Sequence, residues 1–193
     1  MSAALINVVL DIETLSTDSD AAVIQIGACV LPLDRSYLPS GVAPEFEATI
    51  RYENCVALVG ANWFTMSNET MEWWEKQPTR NRVFSGQDSY TDALKSFCEW
   101  IVFSIQAPVA LWGNSPAFDC SILAHSLKTL AFKLPWNFRN ERDYRTMKAI
   151  FPLPKHCTDR TPEEQAVQHT ALGDARYEAR ILEAICSSYG IGM

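Results

Sequence analysis

The tripeptide Asp11-Ile12-Glu13 follows directly on the apolar, β-branched run Ile6–Leu10. Such a run reads as a buried strand. In a strand, residues i and i+2 point to one face, so the two carboxylates stand side by side while Ile12 turns into apolar packing. Carboxylates placed this way repel unless they are protonated or bridged by a cation. Taken alone, an Asp-x-Glu strand end also fits a solvent-facing surface, so the rest of the chain has to decide.

The chain opens with three predicted strands: the first run, then Ala22–Leu31 ended by Pro32, then Glu45–Ile50. A helix over Ser67–Gln77 stops at Pro78, and apolar spacing predicts another over Ser89–Ile105. Pro108–Trp112 reads as a short strand, with a helix starting near Ala117. Asp143–Met147 reads as a short strand running into a short helix, and residues 152–168 as a loop rich in Pro and polar groups. The last helix runs from about Ala171 to Ser188, with Leu172, Ala175, Ala179, Leu182, Ile185 and Cys186 on its buried side. Strands first, then helices alternating with strands, predict an α/β fold: a mixed sheet flanked by helices. At 193 residues, with no internal repeat or dividing linker, the expectation is a single domain over 1–193.

Two further acids, Asp119 and Asp174, fall in the first turns of predicted helices, where the helix dipole alone stabilises a carboxylate. His169 precedes Asp174 by five residues, with Thr170 between them as the expected N-cap. Together, four carboxylates and one imidazole arise from one strand end and two helix starts. Hard oxygen donors of this kind suit Mg²⁺ or Mn²⁺ rather than zinc. Two such ions about 3.5–4 Å apart activate a water and stabilise the leaving oxygen of a phosphodiester. A neutral histidine beside them accepts the water's proton near pH 7.

The formal charge is −7, from 16 Lys+Arg against 23 Asp+Glu, which argues against holding long duplex DNA by bulk charge. Bound divalent ions invert the local field, so a metal-dependent nuclease stays open. The six cysteines form no Cys-x-x-Cys pair and match no zinc spacing. No signal peptide and no membrane span is expected, which predicts a reduced, cytoplasmic protein with free thiols.

Four segments carry a resemblance: Val8-Val9-Leu10-Asp11-Ile12-Glu13-Thr14, Val23-Ile24-Gln25-Ile26-Gly27-Ala28, Asn114-Ser115-Pro116-Ala117-Phe118-Asp119 and His169-Thr170-Ala171-Leu172-Gly173-Asp174. In order and spacing they resemble the DEDD exonucleases of the ribonuclease H-like fold. Histidine five before the last aspartate resembles the histidine subgroup, since Thr170 stands where the other subgroup has tyrosine. Thr70-Met71-Glu72-Trp73-Trp74-Glu75 and the Trp112-Gly113-Asn114 turn resemble a phage and bacterial branch, similar to the mycobacterial 3′–5′ exoribonuclease and to exonuclease VIII. The resemblance implies a ribonuclease H-like mixed sheet and a two-metal 3′–5′ exonuclease. By carry-over, Asp11, Glu13, Asp119 and Asp174 are metal ligands and His169 the general base. The chain departs from the family pattern at Gln25, where relatives often have Glu, and at Ser115-Pro116, which stiffens the turn before Asp119.

Substrate contacts are expected from Thr14, Asn114 and Arg145, with Arg139 and Arg142 as further phosphate holders. Trp73 and Trp74 diverge by about 100° on a helix, so one of them is free to stack a base. Arg176 and Arg180 read as a solvated face. The expected activity is 3′–5′ hydrolysis of single-stranded ends, RNA favoured. The alternatives are a DNA exonuclease of phage recombination or repair, an enzyme confined to short oligonucleotides, and a non-catalytic nucleic-acid-binding module. A homodimer is possible in similar enzymes, although no interface stripe stands out.

Overall fold

The computed structural model describes residues 5–39, 41 and 44–192. Strands β1 (Ile6–Thr14), β2 (Val23–Val30) and β3 (Glu45–Thr49) open the chain. Helices α1 (Tyr52–Gly60), α2 (Asn68–Trp74), α3 (Arg80–Val83) and α4 (Tyr90–Glu99) follow. Then come β4 (Val109–Gly113), α5 (Asp119–Thr129), β5 (Glu141–Asp143) and α6 (Tyr144–Ile150). Helices α7 (Lys155–Thr158), α8 (Pro162–Ala166) and α9 (Ala171–Tyr189) complete the order. Among the described residues the strands form one mixed sheet, β3-β2-β1-β4-β5. The β3–β2 and β2–β1 pairs are antiparallel, and β1–β4 and β4–β5 are parallel. The α/β architecture is therefore as the sequence predicts.

Several local features differ from the sequence reading, which has no element over Arg80–Val83, where α3 stands. It has no element over Tyr52–Gly60, where α1 stands: Val56 and Val59 weaken helix propensity, and Cys55 alone is buried there. The helix expected over Ser89–Ile105 is α-helical to Glu99 and then widens into a π-wound turn, Trp100–Ile105, closed by Gln106 at φ 55°. The expected loop 152–168 contains α7 and α8. A complete Thr161–Glu164 capping box starts α8, a signal present in the sequence as Thr-x-x-Glu.

The central strand divides its side chains between two cores. Val8, Leu10 and Ile12 enter the larger one together with residues of α4 and α5, while Val9 enters the second, against α9. Strand alternation therefore sends Asp11 and Glu13 to the α9 face, and Ile12 away from them as expected. Pairing of β1 with β4 covers only Ile6 to Val9, so Asp11 and Glu13 lie beyond the paired part of β4.

Helix α9 docks on this face through β2. Gly27 pairs with Asp11 and Gln25 with Glu13 across the β1–β2 ladder. A Cβ on Gly27 would stand 2.1 Å from the Leu172 nitrogen and 2.2 Å from the Ala171 carbonyl carbon. Backbone thus lies directly on backbone, and only glycine fits. Gln25 completes the joint: its Oε1 accepts the Ala171 N–H at 2.8 Å, and its Nε2 donates to Thr49 Oγ1 at 2.9 Å. Thr170 holds the N-cap position, but its hydroxyl donates to the Val167 carbonyl at 2.8 Å instead of capping. A distant strand residue therefore satisfies the first free N–H of the helix, and the departure at Gln25 has a structural reason. Gly27→Ala is expected to cost about 3 kcal/mol, the upper end for a methyl forced into packed interior, because backbone atoms cannot rotate away. Urea unfolding of the variant against wild type measures it, and an unchanged midpoint would refute the docking argument.

Candidate active site

Asp11, Glu13 and Asp174 come together at this joint, and each offers one carboxylate oxygen such that the three lie within 4.8 Å of one another. Asp119 enters from the other side as the first residue of α5, buried at 2% exposure. Gly113 makes room for it: a Cβ there would stand 3.0 Å from Asp119 Oδ2. The turn between them is tight, with Ser115 at φ 141° and its carbonyl accepting the N–H groups of Phe118 at 2.8 Å and Asp119 at 3.1 Å. Asp11, Glu13, Asp119 and Asp174 all line one open cleft of about 610 Å³, with His169 and Arg145 on its wall.

The His169 backbone is left-handed, at φ 59°. Its N–H donates to Asp174 Oδ2 at 3.1 Å, and the Thr79 hydroxyl reaches the Gln168 and His169 carbonyls at 3.0 and 3.2 Å. These bonds hold an unfavourable backbone geometry. The ring Nδ1 lies 3.9 Å from Asp174 Oδ2, and the Trp73 ring meets the imidazole edge-to-face at 4.9 Å. Burial, chiefly, and the Arg160 guanidinium push the imidazole pKa below its ordinary value, against the opposing pull of Asp174. The ring is therefore neutral near pH 7.

Of the tryptophan pair, Trp73 is half-exposed, whereas Trp74 is buried at 1% exposure and does not offer a face for stacking. The indole N–H of Trp74 instead donates to the Thr14 carbonyl at 3.0 Å, fixing the end of β1 against α2. Thr14 is itself buried, its hydroxyl donating to the Ser16 carbonyl at 2.6 Å. Thr14, Trp73 and Trp74 border a second cleft of about 330 Å³, which shares Ile12, Glu13 and Phe118 with the first. Arg145 donates to the Asn114 carbonyl at 2.9 Å, so these two wall residues are joined. Arg142 is tied to the Arg139 and Glu141 carbonyls. Arg176 and Arg180 are not simply solvated: they pair with Glu45 and Glu164 at 2.6 Å, partners distant in sequence.

Among the residues that the motifs do not mark, Glu178, Arg160 and Tyr144 also reach the main cleft. Glu178 lies one turn beyond Asp174 and is buried at 2% exposure. Its position among Ala175, Ala179 and Leu182, on the buried side, was the available signal. Arg160 places Nη2 2.8 Å from Asp174 Oδ1 and stacks over Tyr177 at 3.9 Å. Tyr144 contributes a buried hydroxyl with no hydrogen-bond partner. No sequence pattern points to Arg160 or Tyr144, since neither has fixed spacing to the acids.

Burial above all, and then mutual repulsion, raises Asp11 and Glu13 well above the ordinary carboxylate range. Glu178 is raised for the same reasons, with Asp119 its strongest like-charged neighbour. Burial pushes Asp119 up to about 7, although backbone N–H groups and Arg145 oppose the shift. Buried, repelling carboxylates with unpartnered oxygens (Asp119 Oδ2 and Glu178 Oε2) are the donor set that a hard divalent cation satisfies. The residues present therefore fit Mg²⁺ or Mn²⁺.

An acid whose pKa is raised by folding stabilises the fold while it is protonated. For Asp119 that contribution is complete below 3.8 and is lost as pH rises through about 7. Asp11, Glu13 and Glu178 act in the same sense. His169, lowered by folding, acts in the opposite sense, but it is one half-buried group against four buried acids. EDTA-treated protein is expected to melt at a lower temperature at about pH 8 than at about pH 5, and Asp119→Asn to flatten that slope. Calorimetry across the range checks this, and a midpoint that rises with pH in both proteins would contradict it.

The fold is similar to several nucleases of low sequence identity. The nuclease domain of 3'hExo, a DEDDh family member bound to rAMP, matches with a TM-score of 0.58 at 13% identity, over 97% of this chain and 94% of that one. E. coli ExoI, in a zinc-bound complex with ssDNA, matches with a TM-score of 0.63 at 10% identity, over 96% of this chain and 41% of that one. The Exonuclease I of Methylocaldum szegediense matches with a TM-score of 0.60 at 15% identity, over 95% and 41%. The chain thus spans less than half the length of these two exonuclease I chains. No curated protein matches the sequence. Residues 6–186 match the family model of the 3'-5' exoribonuclease Rv2179c-like domain, and over that span the chain belongs to the Rv2179c-like 3'-5' exoribonuclease family.

Proposed function

We propose that the protein is a divalent-cation-dependent 3′–5′ exonuclease acting on single-stranded ends, with RNA the favoured substrate. The observation that carries this reading is the meeting of Asp11, Glu13 and Asp174 within 4.8 Å, with His169 on the wall of the same cleft. Family membership supports the exoribonuclease activity, and the oxygen-only donor set supports Mg²⁺ or Mn²⁺.

In this reading Asp11, Glu13, Asp119 and Asp174 hold two divalent ions, which when bound polarise the scissile phosphate and acidify a water. His169 accepts the water's proton at Nε2, the ring nitrogen on the side away from the Nδ1–Asp174 approach. Its backbone bond to Asp174 and the Thr79 contacts hold the base in place. Trp73 offers the half-exposed ring on which a terminal base stacks, and Thr14 and Trp74 form the wall behind it. Asn114 and Arg145, joined to each other, face the phosphate side of the main cleft.

The test uses 5′-labelled single-stranded RNA and DNA of one sequence, with Mg²⁺, Mn²⁺ or EDTA. A ladder shortening from the 3′ end is expected with either metal, faster on RNA, and absent with EDTA or in Asp174→Asn. His169→Ala is expected to lower kcat about 10²–10⁴-fold while retaining metal binding. Faster DNA cleavage would overturn the sugar preference, and wild-type turnover in His169→Ala would overturn the base assignment. A folded protein that cleaves neither polymer would favour a binding module or a substrate confined to short oligonucleotides.

A further inference from the structure

Five carboxylates reach the main cleft, one more than the four that the motifs mark. The fifth, Glu178, sits on the buried side of α9, one turn after Asp174. At 2% exposure it is almost wholly removed from water, yet its Oε2 has no hydrogen-bond partner. Leaving a buried polar atom unpaired is costly, and more so when the group is charged. The flanking Ala175, Ala179 and Leu182 make ordinary apolar packing on the same face, so packing alone does not require an acid there.

The arrangement of the five is uneven. The mutually close trio is Asp11, Glu13 and Asp174. Asp119 and Glu178 remain, each buried and each with one unpartnered oxygen in the same cleft. Asp119 is the like charge that Glu178 feels most strongly, and Asp11 feels Glu13, Asp119, Glu178 and Asp174 together. Resting on the two-ion reading above, we propose that the trio holds one divalent cation and that Glu178 joins Asp119 in holding the second, by a direct bond or through one water.

The experiment is Mn²⁺ titration of the full chain stripped with EDTA, followed by calorimetry and by the paramagnetic signal of free Mn²⁺. Wild type is expected to take up two ions. Glu178→Gln is expected to keep one site at wild-type affinity and to weaken the other at least tenfold, and Asp119→Asn to weaken the same site. Glu178→Asp, which keeps a carboxylate, is expected to recover part of that affinity, a rescue that loss of packing would not give. A melting midpoint of metal-free Glu178→Gln at or above wild type confirms that the fold is intact. Two unchanged sites in Glu178→Gln, or a single site in wild type, would overturn this inference and leave the exonuclease reading standing. A wild-type protein that binds no Mn²⁺ would overturn both.

Discussion

The contact on which the rest depends is the seat of α9 on β2. Gly27 lets the backbone of Ala171 and Leu172 lie directly on the sheet, and Gln25 satisfies the first N–H of the helix. Because Gly27 and Gln25 are paired with Asp11 and Glu13, the same ladder that seats the helix also sets its distance from the acidic pair. His169 and Asp174 flank the first residues of α9, so imidazole and carboxylate arrive together. Local packing at one glycine thus determines geometry at a site assembled from both ends of the chain.

That seat is made against an electrostatic cost. Burial raises Asp11, Glu13, Asp119 and Glu178 above their ordinary pKa values, which means that ionising them works against the fold. Two extended apolar cores on the two faces of the sheet offset this penalty. The ion pairs Arg176–Glu45 and Arg180–Glu164 anchor α9 to β3 and to α8, away from the cleft. Being partly exposed, such pairs contribute on the order of 1 kcal/mol or less each, so they set the orientation of the helix more than its stability. A site of buried like charges and a held left-handed histidine is the kind of strain that function, rather than stability, accounts for.

The sequence made legible what depends on short range. Asp11 and Glu13 on one strand face, Ile12 on the other, and acids in the first turns of α5 and α9 all follow from fixed local periods. Contacts between distant segments were not legible. Thr170 reads as a cap, but Gln25, far away in sequence, does the capping. Arg176 and Arg180 read as solvated because their partners Glu45 and Glu164 lie on other elements. Glu178 shared the face of Ala175 and Leu182, but helical spacing cannot say that the neighbouring surface is acidic. The Trp73–Trp74 pair was ambiguous for the same reason: the angle between them is local, while the side of α2 that meets β1 is not.

The two tryptophans divide a single task between burial and exposure. Trp74, anchored to the Thr14 carbonyl, fixes α2 against the end of β1. Trp73 stands beside it, edge-to-face with Trp74 at 4.9 Å and with His169 at 4.9 Å. An exposed aromatic ring is ordinarily free to change rotamer, and such freedom would be lost on stacking a base. Here the ring is held between a buried indole and an imidazole whose own backbone is fixed by Thr79. In the exonuclease reading proposed above, holding the ring in advance would lower the ordering cost of binding. It also places any base stacked there beside Glu13, one of the residues shared by the two clefts. The aromatic wall and the Asp11–Glu13 pair therefore adjoin, because Trp74 is anchored to Thr14, the residue next to Glu13 on β1.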